Sequence, residues 1–379
     1  MQTARIAIVG GGLSGLYAAF LLRQRGIGDY VLFEARERLG GRILSASADV
    51  RASSAADITM ARNRVDLGPT WFWPSVQPEL DRLVRDLNIP RFEQHEAGDM
   101  LIEREPNRPP MRTRGFQNAP VSMRLVGGMA SLTDALAARI DPTRVYTGEA
   151  VRDLRRDGVH IEVRTENVVG TSRTTRVEHV LLALPPRLLA STLRFDPALP
   201  EKLAREWRNT ATWMAPHAKY VATYRTPFWR EQGLSGEARS MRGPLAEVHD
   251  ASTDGGDAAL FGFFGVQASV RMTVKEDVLR ALCRAQLVRL FGPDAAMPEG
   301  EFVKDWARDS YTSTAEDIEG ASQHLAGAAA NEPLGLWQER VIGIASEWSP
   351  QFPGYVAGAI EAAHHGVQRL TSTYCRTSG

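Results

Sequence analysis

Apolar residues follow two rhythms along this chain. Arg5–Val9 (RIAIV) is a compact buried-strand run, and Leu13–Arg25 repeats apolar side chains at helical spacing until Gly26 stops it. Tyr30–Phe33 (YVLF) is a second strand, closed by Glu34. With the glycine loop Gly10–Gly15 between the first strand and the helix, this is a βαβ unit. Further on, Glu79–Leu87 has helical spacing, Gly127–Ile140 reads as a loop leading into a helix, and Val145–Val163 alternates like two strands around an Asp157-Gly158 turn. Glu178–Leu184 (EHVLLAL) is a buried strand stopped by Pro185-Pro186. His217–Tyr224 (HAKYVATY) alternates, which puts His217, Lys219, Val221 and Thr223 on one face. Leu260–Val266 and Arg340–Ile344 are further strands, and Glu276–Phe291 and Gly354–Leu370 are helices. Three stretches lack a period and read as loops: 45–64, polar and Arg-rich; 88–123, with five prolines; and Ala315–Glu332, small and polar. Alternation of helix and strand at both ends predicts α/β ends flanking an α+β insertion.

Charge narrows the functional classes. The 45 basic and 45 acidic residues cancel, which argues against a broad nucleic-acid footprint or a polybasic membrane patch. Only four of the basic residues are lysines: Lys202, Lys219, Lys275 and Lys304. A chain of 379 residues with 43% apolar and 24% charged side chains is of the folded class and suits two or three domains. Cys283 and Cys375 are too few for a disulfide framework or a four-thiolate zinc site, and no His/Cys/carboxylate cluster has metal spacing, so no metal is expected. The apolar run 6–22 is interrupted by Gly10-Gly11-Gly12, falls short of the roughly 20 residues a spanning helix needs, and is followed by Arg23 where a signal peptide needs small residues. The expectation is a cytoplasmic protein without a membrane anchor. A homodimer and a monomer are both compatible with the sequence.

The glycine loop carries the first specific chemistry. Gly10-x-Gly12-x-x-Gly15, with Ser14 inside it, follows a strand and opens a helix, so a pyrophosphate can approach the backbone and meet the helix N-terminus. Glu34 stands at the end of the second strand, where a carboxylate can accept both hydroxyls of a ribose. A second glycine pair, Gly40-Gly41, and then Arg42 follow within Glu34–Arg42 (EARERLGGR). A site for a nicotinamide dinucleotide has no use for that second pair.

Glu34–Arg42 resembles the FAD-binding signature of the flavin amine oxidase family, which includes monoamine, polyamine and L-amino-acid oxidases. The resemblance runs along most of the chain: Val65–Pro69 (VDLGP), Gly127-Gly128-Met129, Glu149-Ala150-Val151, Ala183–Pro186, and Ser346-Glu347 followed by Gly354-Tyr355-Val356-x-Gly358-Ala359 are each similar to a family segment. It implies a glutathione-reductase-like Rossmann domain for FAD, interleaved with an α+β substrate domain. The expected division is 1–75, 121–190 and 331–379 for FAD, and 76–120 and 191–330 for substrate. It also implies cofactor contacts from Gly10, Gly12, Ser14, Gly15, Glu34, Arg36, Gly41, Arg42 (on the phosphates), Val151 (beside the adenine), Ser346, Glu347, Gly354 and Val356.

Lys219–Trp229 (KYVATYRTPFW) resembles the family stretch whose lysine holds a water at flavin N5, which would also satisfy a buried ammonium. Tyr355 matches one ring of an aromatic cage around the reacting amine. Trp306-x-x-Asp309-Ser310-Tyr311 resembles the segment leading to the second ring: that position falls near Glu316 without a gap, or on Tyr311 with a five-residue deletion. No cysteine stands where some family members attach the flavin, so the FAD is expected to be non-covalent. Trp71, Phe72, Trp73 and His217 are candidates for a substrate pocket or for packing. The resemblance thus implies an amine oxidase that moves a hydride from the amine α-carbon to flavin N5 and reduces O2 to hydrogen peroxide. Two alternatives remain at this point: a related flavoenzyme acting on carbon–carbon bonds, and a catalytically silent FAD-holding protein.

Overall fold

In a computed structural model, residues 2–47, 63–319, 335–338 and 340–377 are described. The side chain of Cys375, and residues 320–332 of the expected loop, lie outside the described set. The chain packs as two compact units: 1–42, 133–215 and 310–379 form the first, 43–132 and 216–309 the second.

The first unit is built on a parallel five-stranded sheet in the order Val145–Tyr146, Tyr30–Phe33, Ile6–Val9, His179–Leu182, Val341–Gly343. Its inner strands are buried along their whole length, which is why they read as continuous apolar runs and not as alternation. Helices Leu13–Gln24 and Val356–Thr377 pack against one another in this unit. A second, mixed sheet joins Gln2–Thr3, Ser172–Val177, His160–Asn167, Glu149–Asp157 and Arg194–Asp196. Strand Ser172–Val177 has little apolar content, so the hydrophobic pattern did not reveal it. Pro185-Pro186 ends a strand as expected, but Pro186 also opens a helix, Pro186–Thr192, because proline suits a first helical turn. Helix Ala315–Glu319 likewise replaces the start of an expected loop.

The second unit is organised by a seven-stranded sheet in the order Gly300–Asp305, Ala218–Tyr224, Ala258–Phe264, Leu245–Asp250, Leu234–Ser240, Asp99–Glu103, Met111–Arg114. One face sends Ala218, Tyr220, Ala222 and Tyr224 into a core with Leu279, Cys283, Leu287 and Phe291 of helix Glu276–Phe291. The opposite face packs Val221, Ala259 and Phe261 against Val65 and Leu67. The proline-rich stretch 88–123, expected to be irregular, contributes strands Arg91–Glu93, Asp99–Glu103, Met111–Arg114 and Met123–Leu125 in whole or part. Its prolines fall between strands, and Met111–Arg114 is an edge strand with two arginines, so neither apolar alternation nor length marks it. The expected loop 45–64 begins with strand Ser45–Ser47, paired to Arg64–Asp66.

Candidate active site

The first unit brings the glycine loop, Glu34 and Arg42 into one arrangement. A Cβ on Gly15 would lie 1.9 Å from the carbonyl oxygen of Gly10, so helix Leu13–Gln24 can start this close to strand Ile6–Val9 only with glycine there. Gly12 is the N-cap, no side chain caps it, and the first turn holds no acidic residue, which leaves that helix end suited to an anion. Ser14 is buried in the same turn. The second glycine pair packs on the first loop: the Gly40 N–H donates to the Gly11 carbonyl at 2.9 Å.

Glu34 is 3% exposed. Its Oε2 accepts the Gly11 N–H at 2.8 Å and its Oε1 accepts the Arg36 N–H at 2.9 Å. Each carboxylate oxygen can accept two bonds, so one acceptor site per oxygen remains, as two vicinal hydroxyls require. The Arg36 guanidinium stands 3.6 Å from Oε1, donates to Thr312 Oγ1 at 3.0 Å and lies over the Tyr311 ring at 5.4 Å. The Glu149 N–H donates to the Glu34 carbonyl at 2.9 Å, so the strand carrying Val151 runs on from Glu34.

Arg42, expected on phosphate, is paired here with Glu347: Nη1 meets Oε1 at 2.5 Å and Nη2 meets Oε2 at 3.1 Å, with Ser346 Oγ at 3.2 Å. These three bonds leave two of the guanidinium's five N–H donors for a further anion. The Gly354 N–H donates to the Ser346 carbonyl at 3.2 Å, tying this turn to the start of helix Val356–Thr377.

Tyr355 meets Trp213, which no motif marks. Their centroids are 4.9 Å apart at 49°. Two rings with an amine between them need roughly 7 Å, twice an ordinary non-bonded contact, so Trp213 backs Tyr355 and is not the opposite wall of a cage. Glu316, the ungapped alternative for that wall, is exposed in helix Ala315–Glu319.

In the second unit Lys219 is buried, and it is the only buried lysine of the four. Its Nζ donates to the carbonyls of Gly68 (2.7 Å) and Asp66 (3.2 Å) and bonds Thr70 Oγ1 (2.7 Å), and it lies over the rings of Phe261 (4.2 Å) and Phe263 (5.3 Å). The expectation that a water alone satisfies this ammonium needs revision: protein oxygens occupy three donor positions. Burial pushes the ammonium down from its ordinary 10.5 to about 7, against the pull of the Asp66 carboxylate, with the Arg124 charge adding to the fall. Near that pH a neutral amine also fits, giving two N–H bonds to the carbonyls and accepting the Thr70 hydroxyl.

Asp66 underlies this arrangement. Its Oδ1 accepts Ser45 Oγ–H at 2.6 Å and the Met129 N–H at 2.8 Å, which anchors the Gly127-Gly128 turn. Gly128 has φ +73°, and a Cβ there would lie 2.7 Å from both Asp66 Oδ1 and Ser45 Oγ. We expect Gly128→Ala to cost about 2–3 kcal/mol through strain and overpacking, read as a lowered Tm in thermal denaturation.

Of the aromatic cluster, Phe72 is core, exchanging main-chain bonds with Met123, and the Trp73 indole donates to Ser122 Oγ at 3.0 Å. The Trp71 indole donates to Gln94 Oε1 at 2.8 Å, and its ring packs on His249 and Phe261. His217 is held below its ordinary value, first by burial and then by Arg271, and its Nδ1 is buried without a partner. Among the described residues no group of three or more His, Cys, Asp or Glu is placed to hold a metal, and no helix is long and apolar enough to cross a membrane.

With the geometry in place, comparison with known proteins is decisive. The family described as flavin containing amine oxidoreductase matches residues 93–371, more than half of the chain. The chain belongs to that family. A NAD(P)-binding Rossmann-like domain matches residues 8–87. A probable flavin-containing monoamine oxidase A of Dictyostelium discoideum is 27% identical over 63% of this chain and 51% of its own length. Putrescine oxidase of Kocuria rosea is 30% identical over 56% of this chain and 46% of its own. The chain thus spans about half the length of these curated relatives. Two solved structures share the fold: a redesigned putrescine oxidase (TM-score 0.79, 20% identity, 98% of this chain and 99% of that one) and cyclohexylamine oxidase from Brevibacterium oxydans (TM-score 0.78, 18% identity, the same coverage). The family's flavin dinucleotide fits the residues of the first unit: the Gly15 approach, the open helix end at Gly12, and the two remaining acceptor sites on buried Glu34 are what its pyrophosphate and ribose require.

Proposed function

We propose that this chain is an FAD-dependent oxidase of primary amines that holds its FAD non-covalently. The observation that carries the reading is Lys219: the one buried lysine of four, on a sheet face over two aromatic rings. Family membership and the names of the relatives, which act on putrescine and monoamines, support the amine. By function we divide the chain into an FAD-binding part (1–75, 121–190, 331–379) and a substrate part (76–120, 191–330); packing differs in grouping 43–75 and 121–132 with the second unit and 191–215 and 310–330 with the first.

Bound FAD would supply a two-electron acceptor for the hydride of the amine α-carbon, and O2, with two electrons and two protons, would leave as H2O2. Glu34 holds the ribose, while the helix end at Gly12 and the spare donors of Arg42 hold the phosphates. Tyr311, over Arg36, belongs to the cofactor side of this assignment. The Tyr355 ring, backed by Trp213, orients the amine. Lys219 is the proton-carrying group in this reading; for its Nζ to hold a water, that water takes the place of one of its three protein partners, the Asp66 or Gly68 carbonyl or the Thr70 hydroxyl. The resulting imine is hydrolysed by water to a carbonyl compound and ammonia.

Aerobic assay against a panel of primary amines tests this: peroxide, carbonyl product and ammonia appear in equal amounts. FAD-loaded protein that yields none of them with any amine overturns the reading. Acid precipitation should leave a colourless pellet and a yellow supernatant; a yellow pellet contradicts non-covalent binding.

A further inference from the structure

The Lys219 ammonium does not stand beside a single charge. Asp66 and Arg124, 4% and 3% exposed, each carry a buried atom without a partner: Oδ2 of Asp66 and Nε of Arg124. The rest of each group is pinned. Asp66 Oδ1 is held by Ser45 and Met129, and its main-chain oxygen is itself a ligand of Lys219 Nζ. Arg124 donates to the carbonyls of Ser252 at 2.8 Å and Ala251 at 2.9 Å and lies over the Phe92 ring at 5.1 Å. A carboxylate oxygen and a guanidinium N–H buried without partners are costly unless their charges serve one another or a third group.

We propose that Asp66 and Arg124 are positioning residues with opposed charges that together set whether Lys219 carries a proton. The proposal rests on the reading of Lys219 given above, and its test separates the two. Asp66 favours the ammonium and Arg124 disfavours it, while burial of the carboxyl raises Asp66 above its ordinary value. Other charges on the elements packed around Lys219 are held elsewhere: Arg64, on the Asp66 strand, donates its Nε to the Gly127 carbonyl at 2.6 Å. Lys304, directly across the ladder, is paired with Asp309 at 2.9 Å. Glu247, in register with Phe263, is paired with His249 and Arg239. Asp250 is bound by Arg230 and the Trp229 indole. Asp66 and Arg124 are buried charges that each carry an unpartnered atom, and both act on the lysine.

With four lysines in the chain, holoenzyme labelled with carbon-13 at lysine Cε gives few signals, and Lys219→Met assigns the one of interest. Its pH titration is followed in wild type, Asp66→Asn, Arg124→Met and Arg124→Lys. The Lys219 midpoint should fall by about one pH unit in Asp66→Asn and rise by about one in Arg124→Met, the size of shift a nearby buried charge produces. Arg124→Lys, which keeps the charge, should track wild type. Either neutralising variant suffices if the other fails to fold, because each has its own sign. A midpoint unmoved by neutralising Asp66 or Arg124, or moved in the opposite direction, overturns the proposal. If the midpoint moves as stated while the pH dependence of amine oxidation does not follow it, the opposed-charge proposal stands and the catalytic reading of Lys219 falls.

Discussion

Lys219→Met slows flavin turnover with amine and O2 by roughly 10²-fold or more, the usual scale for losing a placed proton carrier, while the protein keeps its fold and its FAD. Methionine fills nearly the same volume, so the core formed by Val65, Leu67, Val221 and Phe261 stays packed. Loss of three hydrogen bonds at Gly68, Asp66 and Thr70 is offset by removing an ammonium that burial disfavours. A second readout follows from linkage. Below about pH 7 both folded and unfolded chains hold the Lys219 proton, and above its ordinary 10.5 neither does. Between these values only the unfolded chain binds it, so this group makes wild-type stability rise with pH across that window. Lys219→Met lacks the contribution. Denaturant unfolding across the window should show the wild-type advantage growing with pH; parallel curves would mean the lysine is not perturbed.

Gly15→Ala is the second large effect. Its Cβ would lie 1.9 Å from the Gly10 carbonyl oxygen and 3.4 Å from Ala183 Cβ, and backbone cannot yield as a side-chain tip can. The strand-to-helix turn must open, at a cost of at least about 2–3 kcal/mol, which corresponds to roughly 10²-fold in FAD retention. The variant should purify colourless or insoluble. Gly12→Ala separates the two reasons for glycine in this loop. A Cβ there meets nothing nearer than Gly41 Cα at 3.8 Å, so the apoprotein should keep its Tm. If a pyrophosphate lies against Gly12, FAD affinity still drops; equal affinity would move the phosphates elsewhere.

The parts of this fold that were legible in the sequence are those whose cause is local. Ile6–Val9, Leu13–Gln24 and Tyr30–Phe33 are fixed by apolar runs and glycines within a few residues of each other, and the helix Glu276–Phe291 has the bounds its periodicity gives. Strands Met111–Arg114 and Ser172–Val177 escaped because an edge or a half-exposed sheet needs few apolar side chains. The site divides the same way. Glu34 is marked by its distance from the glycines. What holds Lys219 is not marked, because Asp66, Gly68 and Thr70 come from about 150 residues upstream in sequence and two of the three bonds go to main-chain oxygens, which any residue has. Arg124 is one arginine among many until the fold buries it, and Trp213 acquires meaning only from the ring it covers.

In the proposed reaction an amine delivers its electrons to a flavin held by this chain. Mixing the yellow holoenzyme with primary amines in the absence of oxygen tests it without reliance on any later step. At least one amine should bleach the flavin absorbance in a single phase, and Lys219→Met should change the rate of this phase or of its reversal by O2. An oxidised flavin spectrum that persists with every amine offered would contradict it.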